Sequence, residues 1–119
     1  MKKAFVISLT ISLLALVAGN VAWSASTLKV TTPNGGESWT KGKTYTIKWK
    51  KGNGGSRVKI ELLKSGKVYK TIKKRTGNDG KFRWKIPSSE KTSKRYKIRI
   101  TSITKDEVLD SSNKVFTIK

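Results

Sequence analysis

Four segments of the chain alternate regularly between apolar and polar residues. In the first, Tyr45, Ile47 and Trp49 alternate with Thr and Lys. The other three segments alternate in the same way, with the apolar sets Val58, Ile60 and Leu62; Phe82, Trp84 and Ile86; and Tyr96, Ile98 and Ile100. Successive side chains of a β-strand point to opposite faces, so this period of two predicts strands with one apolar face and one basic face.

Three further segments predict weaker strands, at residues 28–32, 68–73 and 114–118. The stretches between the strands are rich in Asn, Asp, Gly, Ser and Pro, the residues that tight turns favour. Short strands separated by such turns predict an all-β fold, an immunoglobulin-like antiparallel β-sandwich of about seven strands. Fibronectin-like and jelly-roll arrangements of these strands remain open at this point.

The N-terminus has the pattern of a targeting segment. Lys2 and Lys3 give it a basic start, residues 4–18 are apolar apart from three Ser and Thr residues, and Ala22 and Ser24 have the small side chains that signal peptidase accepts. We therefore expect a signal peptide over residues 1–24 and an immunoglobulin-like domain over residues 25–119, secreted to the periplasm or the extracellular space. An uncleaved membrane anchor is the alternative, because the apolar run approaches the roughly 20 residues that span a bilayer.

Charge and the missing residue types narrow the possible chemistry. The chain has 27 Lys and Arg against 7 Asp and Glu, a formal charge of +20, and it has no His and no Cys. Loss of the predicted signal peptide, with Lys2 and Lys3, leaves +18. Without His and Cys the chain cannot form a Ser-His-Asp triad, a Cys nucleophile, a Cys/His zinc site or a disulfide.

In an immunoglobulin-like fold the basic residues of the strands fall on two outer sheet faces. One face is expected to carry Arg57, Lys59, Arg95, Lys97 and Arg99. The other sheet is expected to carry Lys81, Arg83 and Lys85, with Lys48 and Lys50 beside them. Neighbouring strands lie about 4.8 Å apart, so these cations repel one another, and a bound polyanion relieves the repulsion while it releases its own counterions. The candidate partners are lipopolysaccharide, teichoic acid, acidic polysaccharide and DNA; a merely solvated, aggregation-resistant surface is the simpler explanation.

The aromatic residues divide into expected core residues and one expected surface residue. Trp49 and Trp84 are in phase with the inward apolar sets, so we expect both in the core. Trp39 follows a Gly-Gly turn and its position is not determined by periodicity. Tyr69 is out of phase with Val68, so we expect it to be the most exposed aromatic ring and a candidate binding residue.

The carboxylates do not form the pattern of a metal or catalytic site. Asp106, Glu107 and Asp110 lack the glycine-punctuated pattern of an EF-hand loop, and we expect them to pair with Lys105 and Lys114. The other acidic residues are scattered over turns and strands, without the facing pair that glycoside hydrolysis needs. The sequence therefore predicts no enzymatic activity, no metal site and no cofactor.

Several motifs together resemble a known family. In order, they are residues 33–39 (PNGGESW), Gly42, 45–49 (YTIKW), 58–62 (VKIEL), 78–80 (NDG), 82–87 (FRWKIP), 96–102 (YKIRITS) and 115–118 (VFTI). This set resembles the immunoglobulin-like N-terminal domain of fungal cell-wall β-1,6-glucan synthesis proteins, a family that includes Ser/Thr-rich GPI-anchored surface proteins and bacterial secreted proteins. The resemblance implies a β-sandwich displayed outside the cytoplasm, and it brings no catalytic residues. The chain shows no Ser/Thr-rich tail and its exposed positions are mostly Lys and Arg, so we expect a small secreted bacterial member.

The sequence as a whole predicts a secreted, non-catalytic binding or structural module whose basic sheet faces contact a polyanion of the cell envelope or the extracellular space. The alternative is an adhesion or surface-assembly module that binds a surface protein through its strand edges and loops. Salt separates the two hypotheses, because polyanion binding weakens steeply with ionic strength whereas a compact protein interface depends on its buried anchor residues.

Overall fold

A computed structural model describes residues 27–119, and the predicted signal peptide at residues 1–24 lies outside this range. The described part of the chain contains nine β-strands and no helix, so none of its segments is a candidate membrane-spanning helix. The strands are β1 Lys29–Thr32, β2 Ser38–Trp39, β3 Thr44–Lys50, β4 Arg57–Lys64, β5 Lys67–Gly77, β6 Lys81–Lys85, β7 Ser93–Ser102, β8 Leu109–Ser111 and β9 Phe116–Ile118.

The strands form two sheets. The smaller sheet has three antiparallel strands in the order β1-β3-β6. The larger sheet has six strands in the order β2-β9-β7-β4-β5, with β8 paired to the same edge of β7 as β9. Its pairs are antiparallel except for β2 and β9, which run parallel with Ile118 opposite Trp39. This all-β arrangement of two sheets confirms the predicted fold class.

The core lies between the sheets and contains the apolar sets that the alternation placed inward. Trp49 and Trp84 are buried there, as predicted. Trp39, which periodicity did not place, is also buried, and its ring stacks on that of Tyr45 with centroids 4.6 Å apart. The buried cluster consists of Leu28, Val30, Trp39, Ile47, Trp49, Val58, Ile60, Leu62, Trp84, Ile86, Tyr96, Ile98, Ile100, Phe116 and Ile118. With burial worth about 25 cal/mol per Å² of apolar surface, this cluster supplies the main stabilisation of a domain that has no disulfide.

Two strands were not predicted, β2 and β8. They are two and three residues long, too short to show an alternating pattern. β5 extends to Gly77, beyond the predicted end at residue 73. The other seven strands correspond to the predicted ones.

The hairpin between β4 and β5 turns at Ser65 and Gly66. Their φ angles of 53° and 80° suit a two-residue turn in which both residues are left-handed.

A buried Asn joins the turn after β5 to the core. The Trp49 indole Nε1–H donates to Oδ1 of Asn78 at 2.7 Å. The Asn78 amide in turn donates to the carbonyl oxygens of Gly55, at 2.8 Å, and Lys51, at 3.3 Å. These bonds fix the loop after β3 against the turn that leads into β6, and they satisfy the polar atom of a core Trp.

Candidate functional site

The outer face of the three-stranded sheet carries mostly basic side chains. We call it the basic face and define it by six exposed residues: Lys29, Lys48, Lys50, Lys81, Arg83 and Lys85. The strand register places Lys48 directly opposite Lys81, and Lys50 opposite Lys29. Directly opposed like charges destabilise a sheet, so this arrangement costs the fold free energy.

No carboxylate offsets the basic face within the described chain. β1, β3 and β6 contain no Asp or Glu. The ion pairs found among residues 27–119 involve Lys59, Lys70 and Arg99, none of which belongs to the basic face. The sequence placed Lys81, Arg83 and Lys85 together with Lys48 and Lys50 on one sheet, and the structure brings them together there.

The outer face of the six-stranded sheet is partly neutralised by Glu61. The Arg99 Nε and Nη2 donate to Glu61 Oε1 at 3.2 Å and 3.0 Å, and the Lys59 Nζ lies 3.6 Å from Oε2. Glu61 stands opposite Arg99 in the ladder between β4 and β7, and its side chain is only 6% exposed. Arg99 therefore has a structural partner already, which reduces its availability to an external anion.

The five basic residues predicted for this second face do share it, but they do not form one patch. Arg57 lies at the start of β4, where its carbonyl accepts from the N–H of Ile103, and Arg95 lies near the start of β7, at the other end of the ladder. Lys97 stands opposite Leu63, between Arg95 and Arg99. Arg57 and Arg95 are exposed, whereas Lys59, Lys97 and Arg99 are half-buried.

Tyr69 is partly exposed, at 38%. One side of its ring packs towards Tyr96, with centroids 6.1 Å apart. Lys64 Nζ and Lys70 Nζ lie 5.1 Å and 5.3 Å from the Tyr69 ring centroid, within range of a cation–π contact. The ring is therefore already engaged by groups of the same chain, and Val68 beside it is more exposed, at 48%.

A buried polar cluster that the sequence did not indicate lies beside Tyr69. The Tyr96 hydroxyl donates to the carbonyl of Lys91 at 2.6 Å and lies 3.1 Å from Glu90 Oε2, while Lys70 Nζ lies 2.7 Å from Glu90 Oε1. Burial raises the pKa of Glu90, but hydrogen bonds from Lys70 and Tyr96 and the charge of Lys70 outweigh it, so the pKa of Glu90 lies below its ordinary value. Burial, and then the charge of Glu90, raise the pKa of Tyr96. At neutral pH Glu90 is therefore ionised and Tyr96 is neutral, and neither changes its protonation state, which suits a structural role.

The predicted pairing of the acidic cluster is wrong. No ion pair among residues 27–119 joins Asp106, Glu107 or Asp110 to a Lys. Instead Asp110 Oδ2 accepts from the backbone N–H of Val30 at 2.9 Å, which connects β8 to the edge strand of the other sheet. No group of three or more acidic residues in this part of the chain is arranged to hold a metal ion. Asp110 thus satisfies the N–H of an edge strand instead of pairing with a Lys side chain.

Comparison with known proteins gives the class of this fold. The chain belongs to the family described as the Kre9/KNH-like N-terminal Ig-like domain, which it matches over residues 32–118. This match confirms the family that the sequence motifs indicated. No curated protein matches the chain.

Two solved structures resemble the chain weakly. Both are of the CARDB domain of a protein from Pyrococcus furiosus, one determined by solution NMR and the other by crystallography in complex with di-metal ions. Each is 16% identical in sequence. The NMR structure aligns with 77% of this chain and 92% of its own at a TM-score of 0.32, and the crystal structure with 85% and 95% at 0.36.

Proposed function

We propose that this domain is a non-catalytic module, exported from the cytoplasm, that binds a polyanionic polymer through the basic face. The observation that carries the proposal is the set of six exposed cations on one sheet face without a carboxylate within ion-pair distance in the described chain. A polymer with regularly spaced negative charges complements such a surface. Its binding releases condensed counterions, which is a favourable, salt-dependent contribution to affinity.

The geometry of the basic face suits recognition of charge density rather than of a particular sequence or sugar. Lys81, Arg83 and Lys85 occupy alternate positions of β6 and repeat at intervals of about 6.8 Å. The other outward positions of β3 and β6 are Thr44 and Thr46, so these strands present no aromatic ring for stacking on bases or sugars. We therefore propose lipopolysaccharide, teichoic acid, acidic polysaccharide or DNA as the ligand class, with binding governed by phosphate or carboxylate density.

The proposed place of action is the cell envelope or the extracellular space. The family to which the chain belongs is associated with cell-wall and surface proteins, and the sequence pattern of residues 1–24 predicts export. The polyanions available there are the envelope polymers and released DNA named above. A soluble domain of strong positive charge would be retained by them at low ionic strength.

The alternative, adhesion to a surface protein through strand edges, has less support from the fold. The β5 edge of the large sheet carries three irregularities in its register with β4, and bulges of this kind hinder the addition of a further strand. Val68 and Leu109, the two most exposed large apolar residues of the described chain, lie on β5 and β8, at opposite edges of the sheet. They do not form one apolar patch of the kind that protein partners use.

A pair of matched variants tests the proposal. Lys81→Glu/Arg83→Glu reverses two charges on the basic face, whereas Arg57→Glu/Arg95→Glu reverses two exposed charges on the other sheet and produces the same net charge. At about 0.15 M salt, where the Debye length is about 8 Å, we expect the first variant to lose at least tenfold more affinity for lipopolysaccharide or duplex DNA than the second. Equal losses would mean that net charge alone is responsible, and the adhesion hypothesis would then lead.

A further inference from the structure

A cleft on the outer face of the six-stranded sheet has the features of a site for a single anionic group. The cleft has a volume of about 400 Å³ and is lined by Lys59, Lys74, Arg75, Thr101, Ser102 and Ile103. None of these residues except Lys59 belongs to the sets of basic residues described above. The site is on the sheet opposite the basic face, so it is independent of the polymer contact proposed there.

A β-bulge gathers the cations of this cleft. Along the pairing of β4 with β5, Val58 stands opposite Thr76 but Ile60 stands opposite Lys73. Lys74 and Arg75 together therefore face the single residue Lys59, in place of the one-to-one pairing of a regular ladder. Bulges redirect side chains and are frequent next to functional sites. Here the bulge brings three positive side chains to one cleft.

The charges of the cleft are not balanced by the described chain. Lys59 contacts Glu61 at 3.6 Å, but that carboxylate also binds Arg99 at 3.0 Å. Lys74 and Arg75 are exposed, and neither forms an ion pair among residues 27–119. Three cations that meet in one cleft with a shared carboxylate leave an excess of positive charge, which a bound anion would offset.

The hydroxyl group of Thr101, in the lining of the same cleft, also favours a bound anion. Thr101 stands directly opposite Lys59 in the ladder between β4 and β7, and its Oγ1 is buried without a hydrogen-bond partner. Buried polar atoms are nearly always paired, so an orphan hydroxyl in the lining of a cationic cleft is a feature that a ligand oxygen would satisfy. The neighbouring Ser102 is different, because its Oγ donates to the carbonyl of Gly54 at 2.6 Å and accepts from the N–H of Lys105 at 2.9 Å.

We propose that this cleft binds a phosphate or sulfate ester group carried by a sugar-sized molecule. A tetrahedral oxyanion can accept from Lys59, Lys74 and Arg75 at once. One of its oxygens can accept from the Thr101 hydroxyl once the flexible side chains that cover this hydroxyl move aside to hold the anion. Arg is suited to such contacts because its guanidinium donates two parallel hydrogen bonds. A volume of about 400 Å³ exceeds that of a bare anion and falls within the range of small-molecule sites. Ile103, 41% exposed, provides an apolar wall for the carrier.

The proposal is tested by NMR titration of the isotopically labelled protein with inorganic phosphate, inorganic sulfate, glucose 6-phosphate and glucose. We expect saturable shifts of the backbone amides of Lys74, Arg75 and Thr101 with the two oxyanions, tighter saturation by at least threefold with glucose 6-phosphate, and no shifts with glucose. Equal affinity for phosphate and glucose 6-phosphate would overturn the sugar-sized carrier. Shifts that grow linearly and involve most Lys residues of the chain would overturn the site.

Two variants separate a built site from diffuse charge. Thr101→Val keeps the shape of the side chain and removes the orphan hydroxyl, and Arg75→Gln removes one cation; each should weaken glucose 6-phosphate binding at least fivefold. Thr101→Val should also leave the fold intact or more stable, since it removes a buried polar atom without a partner. Lys81→Glu/Arg83→Glu, on the other sheet, should leave this binding within twofold. Unchanged affinity in the Thr101→Val protein would contradict the proposed contact. A loss in the basic-face variant equal to or larger than that in Arg75→Gln would show that net charge, and not the cleft, governs the binding.

Discussion

Lys48 and Lys81 stand directly opposite each other on the outer face of the three-stranded sheet. Each is exposed, and neither has a carboxylate partner within the described chain. Opposed like charges on neighbouring strands lower the stability of a sheet, and opposite charges at the same two positions would raise it. This repulsion is a cost to the isolated fold, and the polyanion contact proposed above would relieve it.

Lys81→Glu is expected to stabilise the free protein by about 0.2–1 kcal/mol, because it converts a cross-strand repulsion into an attraction. The same change should weaken polyanion binding. Urea denaturation at low ionic strength measures the first effect, and a binding isotherm measures the second. Arg83→Glu is the matched control, since Arg83 faces Thr46 and its reversal should weaken binding without comparable stabilisation. A Lys81→Glu protein less stable than the wild type would contradict this account of the basic face.

Glu61→Gln is expected to destabilise the protein by about 1–3 kcal/mol. The buried carboxylate accepts two hydrogen bonds from Arg99 and lies near Lys59, and a neutral amide leaves these cations poorly compensated. Lys97→Gln provides the comparison on the same face, with an expected change within about 0.5 kcal/mol. Denaturant titration measures the free energy of unfolding of both variants. If Glu61→Gln changed it as little as Lys97→Gln, the Glu61 ion pairs would be solvated and would contribute little to stability.

Asn78→Ala is expected to cost about 1–3 kcal/mol, because it leaves the Trp49 indole N–H and the Gly55 carbonyl without a partner. The Lys51 carbonyl keeps the N–H of Gly54 as a donor, at 3.0 Å. The fluorescence of Trp49 should also change, since its indole N–H loses a hydrogen bond of 2.7 Å. Asn113→Ala is a suitable control, as Asn113 is exposed. A variant as stable as the control would show that water replaces the amide.

The stability of the protein should fall on acidification partly through Glu90. Its pKa is lower in the folded protein than its ordinary value, so the unfolded chain binds more protons near that pH. The stabilisation from Glu90 is therefore fully present above the ordinary pKa of a Glu and is lost as the pH falls through the lower, folded-state pKa. Glu90→Gln should lose about 1–3 kcal/mol at pH 7 and should lose less on further acidification than the wild type.

Urea titrations at several pH values between 7 and 3 measure this dependence. Glu107→Gln is the control, because Glu107 is exposed and forms no ion pair in the described chain. If Glu90→Gln and the wild type lose stability in parallel as the pH falls, the pKa of Glu90 is not lowered by folding, and this account of its contacts with Lys70 and Tyr96 is contradicted.

The strand pattern of the sequence was enough to predict the fold class, the inward Trp residues and the division of the basic residues between two sheets. These features follow from a period of two, which is local. What the pattern could not predict depends on register between strands distant in sequence. Glu61 alternates in phase with Lys59, but its contact with Arg99 exists because the two residues face each other across β4 and β7. The bulge that sets Lys74 and Arg75 opposite Lys59 interrupts the alternation itself. The position of these two cations, and with it the cleft, could therefore not be predicted from the period of two.

The salt dependence of duplex DNA binding tests the central proposal most directly. The measurement compares the slope of log K against log salt concentration for the wild type and for Lys81→Gln/Arg83→Gln, which removes two charges from the basic face without introducing new ones. Each phosphate contact contributes about 0.9 to the slope, so the account predicts that the variant's slope is shallower by about 1.8. An unchanged slope in a folded variant, or wild-type binding without salt dependence, would contradict a polyanion contact at the basic face.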